Sequence, residues 1–175
     1  DTSVTYGYDA VGRLVSVEDH LDIFSYARVA DSDLLASLTG PVHTVDYLYE
    51  ANRDLMAQVK NTKTPGTAAI VSLYDYAYDA LSRRENREQS GTAFTVPSID
   101  AFSYNSRSEV VGSVNDVTSA FTFAYDYDNI GNRLTSEKDN DPTRAFTSNP
   151  LNQYTAITNP SVSPTYDKDG NMRTN

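Results

Sequence analysis

The sequence predicts an all-β fold of tandem antiparallel hairpins in a curved or spiralling sheet. A short motif recurs along the chain, with two aromatic residues separated by one position and then an acidic residue. Residues two apart on a strand share a face, so each aromatic pair indicates a strand, whereas a helix would separate the two side chains. Tyrosine is a strand former and is the main large residue, with 13 Tyr, 6 Phe and no Trp.

The first copy of the motif shows what each position does. It runs Tyr6-Gly7-Tyr8-Asp9, continues through two turn residues, and ends Gly12-Arg13-Leu14. An Asp side chain accepts backbone N–H groups ahead of it, and Gly adopts a positive φ without steric cost. We therefore expect an outgoing aromatic strand, a turn from Asp9 to Gly12, and a return strand that starts at Leu14.

Six further copies follow at irregular spacing, which favours hairpins joined by connections of variable length over a solenoid of fixed period. In the sixth copy we expect four aromatic residues, Phe121, Phe123, Tyr125 and Tyr127, to share one face. The positions that carry the motif are Tyr6, Tyr8, Asp9, Gly12, Arg13, Leu14, Tyr26, Tyr47, Tyr49, Tyr76, Tyr78, Asp79, Tyr104, Tyr125, Tyr127, Asp128, Gly131, Arg133, Tyr166, Asp167 and Gly170.

The segments between the motifs read as connections. Asn61–Thr67 predicts a turn between strands around 57–59 and 70–74, and Asp139–Thr143 predicts another. The prolines lie between motifs, where they remove no ladder hydrogen bond. No segment has a convincing helical pattern. The chain starts abruptly inside a predicted strand, so we expect it to be a fragment of a longer protein.

Composition and charge exclude several classes of function. The net charge is −10, from 14 Lys and Arg against 24 Asp and Glu, so we expect no nucleic-acid partner. The chain has no Cys, which excludes disulfides, thiolate nucleophiles and Cys-based zinc sites. It has no run of about 18 apolar residues, so we expect no transmembrane segment. The N-terminus does not read as a signal peptide.

No residue pattern predicts catalysis. The two histidines, His20 and His43, lack the surroundings of a catalytic triad and are expected to be polar surface or inter-repeat residues. We therefore predict no catalytic residue, no cofactor and no metal.

Two oxygen-rich turns raise the question of a calcium site. Asp126, Asp128 and Asn129, like Asp167, Asp169 and Asn171, bring several oxygens together, but neither run has a calcium-loop pattern, so turn capping is favoured. Arginines recur just after the turns, and we expect ion pairs with neighbouring turn aspartates more than phosphate binding. These arginines are Arg13, Arg83, Arg84, Arg107, Arg133 and Arg173.

The repeated Tyr-Asp-x-x-Gly-Arg-Leu pattern resembles that of the YD-repeat or Rhs-repeat proteins, over essentially the whole chain. The segment Leu151–Ile157 with the following Tyr166-Asp167 resembles the entry to the Rhs-associated core of that family. The resemblance divides the chain into YD/Rhs repeats over 1–150 and the start of a core-like repeat over 151–175. The plug and self-cleavage motifs of the family are missing, so no proteolytic residue can be transferred.

The family includes bacterial Rhs toxins, the cocoon-forming component of insecticidal toxin complexes, and teneurins. The resemblance implies a β-sheet that is part of a hollow shell, on a secreted or cell-surface, bacterial protein, and that encloses or presents a toxin or effector domain. The implied partners are the rest of the same polypeptide, or further copies paired through sheet edges. Two alternatives remain open: an adhesive module that binds a protein or glycan through exposed tyrosine rows, and a self-assembling fibre subunit.

Overall fold

The computed structural model describes residues 3–64, 69–118 and 121–174, and these residues contain sixteen β-strands. The strands are β1 Thr5–Tyr8, β2 Leu14–Glu18, β3 Ile23–Arg28, β4 Leu35–Thr39, β5 His43–Tyr49, β6 Met56–Lys63, β7 Ile70–Tyr78, β8 Arg84–Ser90, β9 Ser98–Tyr104, β10 Val110–Asn115, β11 Phe123–Tyr127, β12 Arg133–Lys138, β13 Arg144–Ser148, β14 Tyr154–Ile157, β15 Thr165–Tyr166 and β16 Met172–Thr174.

The chain divides into two units, Asp1–Ile99 and Asp100–Asn175. In the first unit, β1 to β8 pair antiparallel in chain order. In the second unit, β9 to β14 pair in the same manner, and β15 and β16 form a separate hairpin. The predicted all-β fold of tandem antiparallel hairpins is therefore confirmed.

Every hairpin that follows an aromatic motif carries a β-bulge at the same place. In each, the second residue of the return strand has no partner in the register, because the pairing shifts between the first and third residues. The bulged residues are Val15, Ala36, Ala57, Glu85, Val111, Leu134, Thr155 and Arg173. A bulge increases the local right-handed twist, so each repeat carries its own twist next to its turn.

The register places the aromatic side chains of each unit on one face, which we call the aromatic face. Tyr6 lies opposite Val17, which in turn lies opposite Phe24 on β3. The other face carries small and charged side chains, and one of its rows consists of Gly7, Ser16 and Ser25. This alternation follows directly from the period-two side-chain pattern of a strand.

The aromatic face packs under no second layer among the described residues. Within residues 3–64, 69–118 and 121–174, Val45 and Ile157 are the two buried hydrophobic residues, and no large side chain is fully buried. The strand tyrosines are mostly half-buried by their cross-strand neighbours, while Tyr6 and Tyr8 remain 56% and 60% exposed. Cross-strand pairs and the hydrogen-bond ladder therefore hold the sheet, in place of a closed core.

Two local predictions need correction. Asn61–Lys63 was expected in a turn, but β6 continues through Lys63 because Asn61 pairs with both Val45 and Ser72. Residues 65–67 of that predicted turn lie outside the described residues. Phe121 was expected in the aromatic row of β11, but that strand begins at Phe123, and Phe121 lies outside it with 56% exposure.

Gly91 connects β8 to the following segment at a place with no room for a side chain. Its φ is +113°, and a Cβ there would lie 2.6 Å from the Val71 carbonyl oxygen. Gly12 has a φ of +85°, but a Cβ would meet nothing within 4 Å. Gly91 therefore combines a left-handed backbone with a steric limit, whereas Gly12 has the backbone requirement alone.

We expect Gly91→Ala to destabilise the first unit more than Gly12→Ala does. Gly12→Ala should cost about 1–2 kcal/mol for the positive φ, and the clash at Gly91 should add about 1–3 kcal/mol. Urea unfolding of both variants, followed by circular dichroism, measures the difference. Equal losses for the two variants would contradict the close approach of Gly91 to Val71.

Candidate functional site

The hairpin turn at Asp9 is held by one side chain and two backbone bonds. The Asp9 N–H donates to the Arg13 carbonyl (2.9 Å), and the Gly12 N–H donates to the Asp9 carbonyl (3.0 Å). The Asp9 Oδ1 accepts the N–H groups of Val11 (3.0 Å) and Arg13 (2.9 Å). One carboxylate oxygen therefore caps the whole five-residue turn.

The same turn occurs at five further places, which begin at Asp79, Asn105, Asp128, Asn149 and Asp167. In each, Oδ1 of the first residue accepts the N–H groups of the third and fifth residues. The fourth residue always has a positive φ, and it is Gly12, Ser82, Ser108, Gly131, Asn152 or Gly170. The turns at Val29 and Glu50 are one residue longer.

The fifth residue of each turn completes the cap through its side chain. Where the first residue is Asp, the fifth residue donates to it: Arg13 Nε reaches Asp9 at 2.7 Å and Asn132 Nδ2 reaches Asp128 at 2.9 Å. Where the first residue is Asn, the direction reverses, and Asn105 Nδ2 donates to Glu109 at 2.6 Å. The side-chain hydrogen bond between the first and fifth residues is therefore kept in these repeats, while its donor and acceptor exchange places.

Arginines also tie one turn to the next. The Arg13 Nη1 donates to the Ser32 carbonyl (2.9 Å) and to Asp33 Oδ1 (3.0 Å) in the following hairpin. The Arg53 Nη1 donates to the Asp79 carbonyl at 3.1 Å. Arg107 reaches the Asp128 carbonyl in the same manner. The turns of consecutive hairpins are thus linked side by side as well as through the strands.

The hydrogen bonds keep the turn carboxylates ionised. The backbone N–H of Arg13 lowers the pKa of Asp9, and that of Arg83 lowers the pKa of Asp79. The Asn132 side chain lowers the pKa of Asp128, and the Asn171 backbone N–H lowers that of Asp167. Asp128 and Asp167 thus occupy the capping positions that the sequence favours over a calcium site, and no group of three or more His, Cys, Asp or Glu among residues 3–64, 69–118 and 121–174 has the arrangement to hold a metal ion.

Five of the six predicted arginines fall into two groups. Arg13 and Arg83 form ion pairs with turn aspartates, as expected, and Arg107 pairs with Glu109. Arg84 and Arg133 instead lie over aromatic rings, at 4.2 Å from the Tyr76 centroid and 4.7 Å from the Tyr125 centroid. A guanidinium over an aromatic ring is stabilised by the attraction between its positive charge and the ring electrons. The histidines His20 and His43 are both exposed.

A groove of about 410 Å³ lies on the aromatic face of the second unit, along β11, β12 and the start of β13. Its aromatic wall is Phe123 and Tyr125, whose rings lie 6.3 Å apart and nearly parallel, at 7°. The other residues that line it are Arg133, Ser136, Glu137, Lys138, Asp141, Pro142, Arg144 and Asn159. No sequence motif predicts this groove, because its residues come from separate strands and connections.

The turn at Asn149 is a repeat that the sequence motif did not reveal. Its first residue is Asn in place of Asp, its fourth is Asn152 in place of Gly, and its fifth is Gln153. The signal available in the sequence was Asn-x-x-Asn-Gln, with a residue that tolerates the left-handed region at the fourth place.

No described helix has the length and apolar character that crossing a membrane requires.

The chain shares its fold with chains of solved toxin complexes. It superimposes on a chain of the crystal structure of TcdB2-TccC3 without its hypervariable C-terminal region with a TM-score of 0.56, at 12% identity over 97% of its length. The similarity shows a fold shared with part of that chain. The Tc holotoxin pore of Photorhabdus luminescens gives a TM-score of 0.55 at 12% identity over 98% of the chain.

The chain spans 12% of the length of each of these toxin-complex chains. No protein-family model and no curated protein matches it. The similarity confirms the fold that the YD-repeat resemblance implied. The proposed division of the chain at residue 150 stays a prediction.

We expect Asn149→Ala to destabilise the seventh hairpin by about 1–2 kcal/mol, the usual cost of removing a capping side chain. Asn149→Asp should be tolerated within about 0.5 kcal/mol, because a carboxylate accepts the same two N–H groups and the Gln153 amide can turn to donate. Asn140→Ala, at an exposed position, is the matched control. Hydrogen exchange of β13 and β14 measures the effect; equal losses for Ala and Asp would count against capping.

Stability should fall in acid because the turn carboxylates have lowered pKa values in the folded chain. This contribution is complete above the unfolded pKa of about 3.9, and it is lost as the pH falls through the lower folded pKa. Urea midpoints measured between pH 7 and pH 2.5 should therefore decrease below about pH 4. Asp128→Asn should weaken this dependence, because it removes one of the carboxyl groups whose pKa is lowered in the folded chain. A wild-type midpoint that stays flat to pH 2.5 would refute the argument.

Proposed function

We propose that this chain is a non-enzymatic wall segment of a β-sheet shell, which encloses or presents a toxin or effector domain of a secreted or cell-surface protein. The observation that carries the proposal is the sheet itself. Hairpins with the same bulge, six of which share the same five-residue turn, pair in chain order, with Val45 and Ile157 as the buried hydrophobic residues among those described.

A shell wall depends on a continuous hydrogen-bonded sheet more than on a buried hydrophobic core. An ordinary domain buries a hydrophobic layer between two elements, and its size is limited by that layer. Here each hairpin is held by the ladder to its neighbours and by turn contacts such as that of Arg53 with the Asp79 carbonyl. Because these bonds repeat, a sheet of this kind extends by the addition of hairpins. Its action is steric, since it separates what lies on its two sides.

The similarity to chains of toxin complexes supports this role. Those chains are about eight times longer than this one, since the chain covers 12% of each. A segment of that size would form part of a wall, with the remainder of the polypeptide or further copies paired to its outer strands. Unpaired strand edges such as that of β1 expose N–H and C=O groups that favour such pairing.

The placement of the ionisable groups supports a non-enzymatic role. The turn carboxylates are occupied by the N–H groups they cap, as at Asp9 and Asp167. The two histidines are exposed and lie on different connections of the first unit, with His20 in the turn before β3 and His43 at the start of β5. A triad needs a nucleophile, a base and an orienting group in contact, and these histidines do not supply that arrangement.

A binding module is the second candidate, and the exposure of Tyr6 and Tyr8 favours it. Tyrosine combines a large apolar ring with a polar tip, which suits contact with a protein or a glycan. A fibre subunit is the third, because the same free edges that suit a wall also suit pairing between copies.

We expect the isolated 175-residue chain to form assemblies larger than a monomer, because its outer strands lack partners. Multi-angle light scattering over a concentration series, with negative-stain imaging, measures the mass and form of these particles. Thr5→Lys on the edge strand β1 should reduce the assembled fraction severalfold, since edge lysines oppose strand pairing. Val11→Lys, in an exposed turn, is the control.

A stable, compact monomer at all concentrations would overturn the wall proposal and favour the binding module. Regular unbranched filaments, in which Thr5→Lys prevents growth, would favour the fibre subunit. Irregular sheets or closed particles of several copies are the result expected of a wall segment.

A further inference from the structure

The two faces of the sheet carry charge of opposite sign. In the first unit, the paired strand positions of the aromatic face hold the cations Arg28, Lys63, Arg84 and Arg87 and, among the described residues, no carboxylate. The opposite face holds Glu18, Asp46, Asp75 and Glu88, and its single cation, Lys60, pairs with Asp46 at 3.1 Å. A chain of net charge −10 thus keeps its aromatic face basic.

The second unit repeats the separation and concentrates it in the groove. Arg133, Lys138 and Arg144 lie on the aromatic face, while Asp126 and Glu137 lie on the opposite face. The only carboxylate at a paired, described position of the aromatic face is Asp100, which is buried and accepts a hydrogen bond from Asn115 at 2.8 Å. Asp141, from the connection between β12 and β13, and Glu137, from a strand position of the opposite face, also line the groove, so its three cations lie beside two carboxylates.

The two groove arginines are held but not neutralised. Arg133 lies 4.7 Å from the Tyr125 centroid and 5.8 Å from the Phe146 centroid, and Arg144 lies 5.9 Å from Phe146. The Nε atoms of both arginines are buried without a hydrogen-bond partner. Neither guanidinium forms an ion pair with the described carboxylates. Two like charges beside one ring are unfavourable until an anion lies between them.

A guanidinium stacked on a ring keeps its edge free for a planar oxyanion. Arginine offers paired N–H groups whose spacing matches the two oxygens of a carboxylate. Ser136 and Asn159 add a hydroxyl and an amide at the groove wall, and the nearly parallel rings of Phe123 and Tyr125 add a flat apolar strip. The volume of about 410 Å³ is within the usual range for a small-ligand site.

We propose that this groove binds a carboxylate-bearing sugar, such as a uronic-acid unit of an acidic glycan. The carboxylate lies between Arg133 and Arg144, Lys138 adds charge at the mouth, and the pyranose ring lies along the aromatic strip. A long polyphosphate is disfavoured, because the opposite face and Asp141 repel an extended anion. An acidic peptide would satisfy the cations but would leave the flat strip without a matching ring.

The test is titration of the full 175-residue chain with trigalacturonic acid by isothermal calorimetry at low salt. We expect saturable binding that weakens as salt is added, and no binding of neutral maltotriose. The variants Arg133→Gln and Arg144→Gln should each weaken binding at least about tenfold, the loss expected for one charge-assisted hydrogen bond. Lys138→Gln, at an exposed position that does not support packing, should weaken it by a smaller factor.

Arg173→Gln is the matched control, because Arg173 is an exposed arginine of β16 outside the groove. Circular dichroism of each variant separates loss of binding from loss of fold, and Lys138→Gln keeps the test valid if an arginine variant does not fold. No heat with trigalacturonic acid, or binding unchanged by Lys138→Gln and both arginine variants, would overturn the proposal. Tighter binding of a glutamate-rich peptide would assign the groove to an acidic polypeptide instead.

This site is independent of the wall function, and the two tests fail separately. Light scattering reports on the strand edges, such as β1, whereas the titration reports on the aromatic face of β11 to β13. An assembly that does not bind uronate would support the wall function and refute the binding site. A monomer that binds uronate would do the reverse.

Discussion

The turn cap is the interaction on which the rest of the structure depends. One oxygen of Asp9, or of its counterpart in another hairpin, accepts two backbone N–H groups and fixes a five-residue reversal with a left-handed residue at its fourth place. A reversal of fixed length sets which residues of the two strands face each other. A slip of one residue would move all the tyrosines of a strand to the opposite face, so the cap also determines where the aromatic face lies.

The exchange of donor and acceptor within the cap explains why the motif residues vary between repeats while the turn geometry stays the same. Asp at the first place requires a donor at the fifth, which is Arg13 or Asn132; Asn permits an acceptor, which is Glu109. The fourth place accepts Gly, Asn or Ser, in order of increasing cost for the left-handed region. What each repeat preserves is a set of hydrogen bonds, and several residue combinations supply it.

This explains how far the sequence could predict the fold. Tyr6 and Tyr8 two residues apart, with Asp9 and Gly12 behind them, determine a strand, a turn and a face by local chemistry, and the predicted hairpins follow from that. The Asn149 turn was not predicted, because Asn149 and Asn152 replace the Asp and Gly that usually occupy the first and fourth places of the motif. The strand β6 extends past the predicted end near Asn61 for a different reason. Its length depends on pairing with β5 and β7, and the neighbouring strands, more than its own residues, determine where it ends.

The groove could not be predicted for a related reason, and this shows what the single-layer sheet makes available. Tyr125, Ser136 and Arg144 are separated in sequence but lie in one row across β11, β12 and β13, because the register pairs them directly. In a two-layer fold such a row would be covered by the second layer and would have to be apolar. With no second layer over it among the described residues, the aromatic face can hold Arg133 and Arg144 near its rings, and this contact offsets part of the desolvation of their Nε atoms, which are buried without a hydrogen-bond partner. The same openness that suits the sheet to a wall therefore leaves room on it for a binding site.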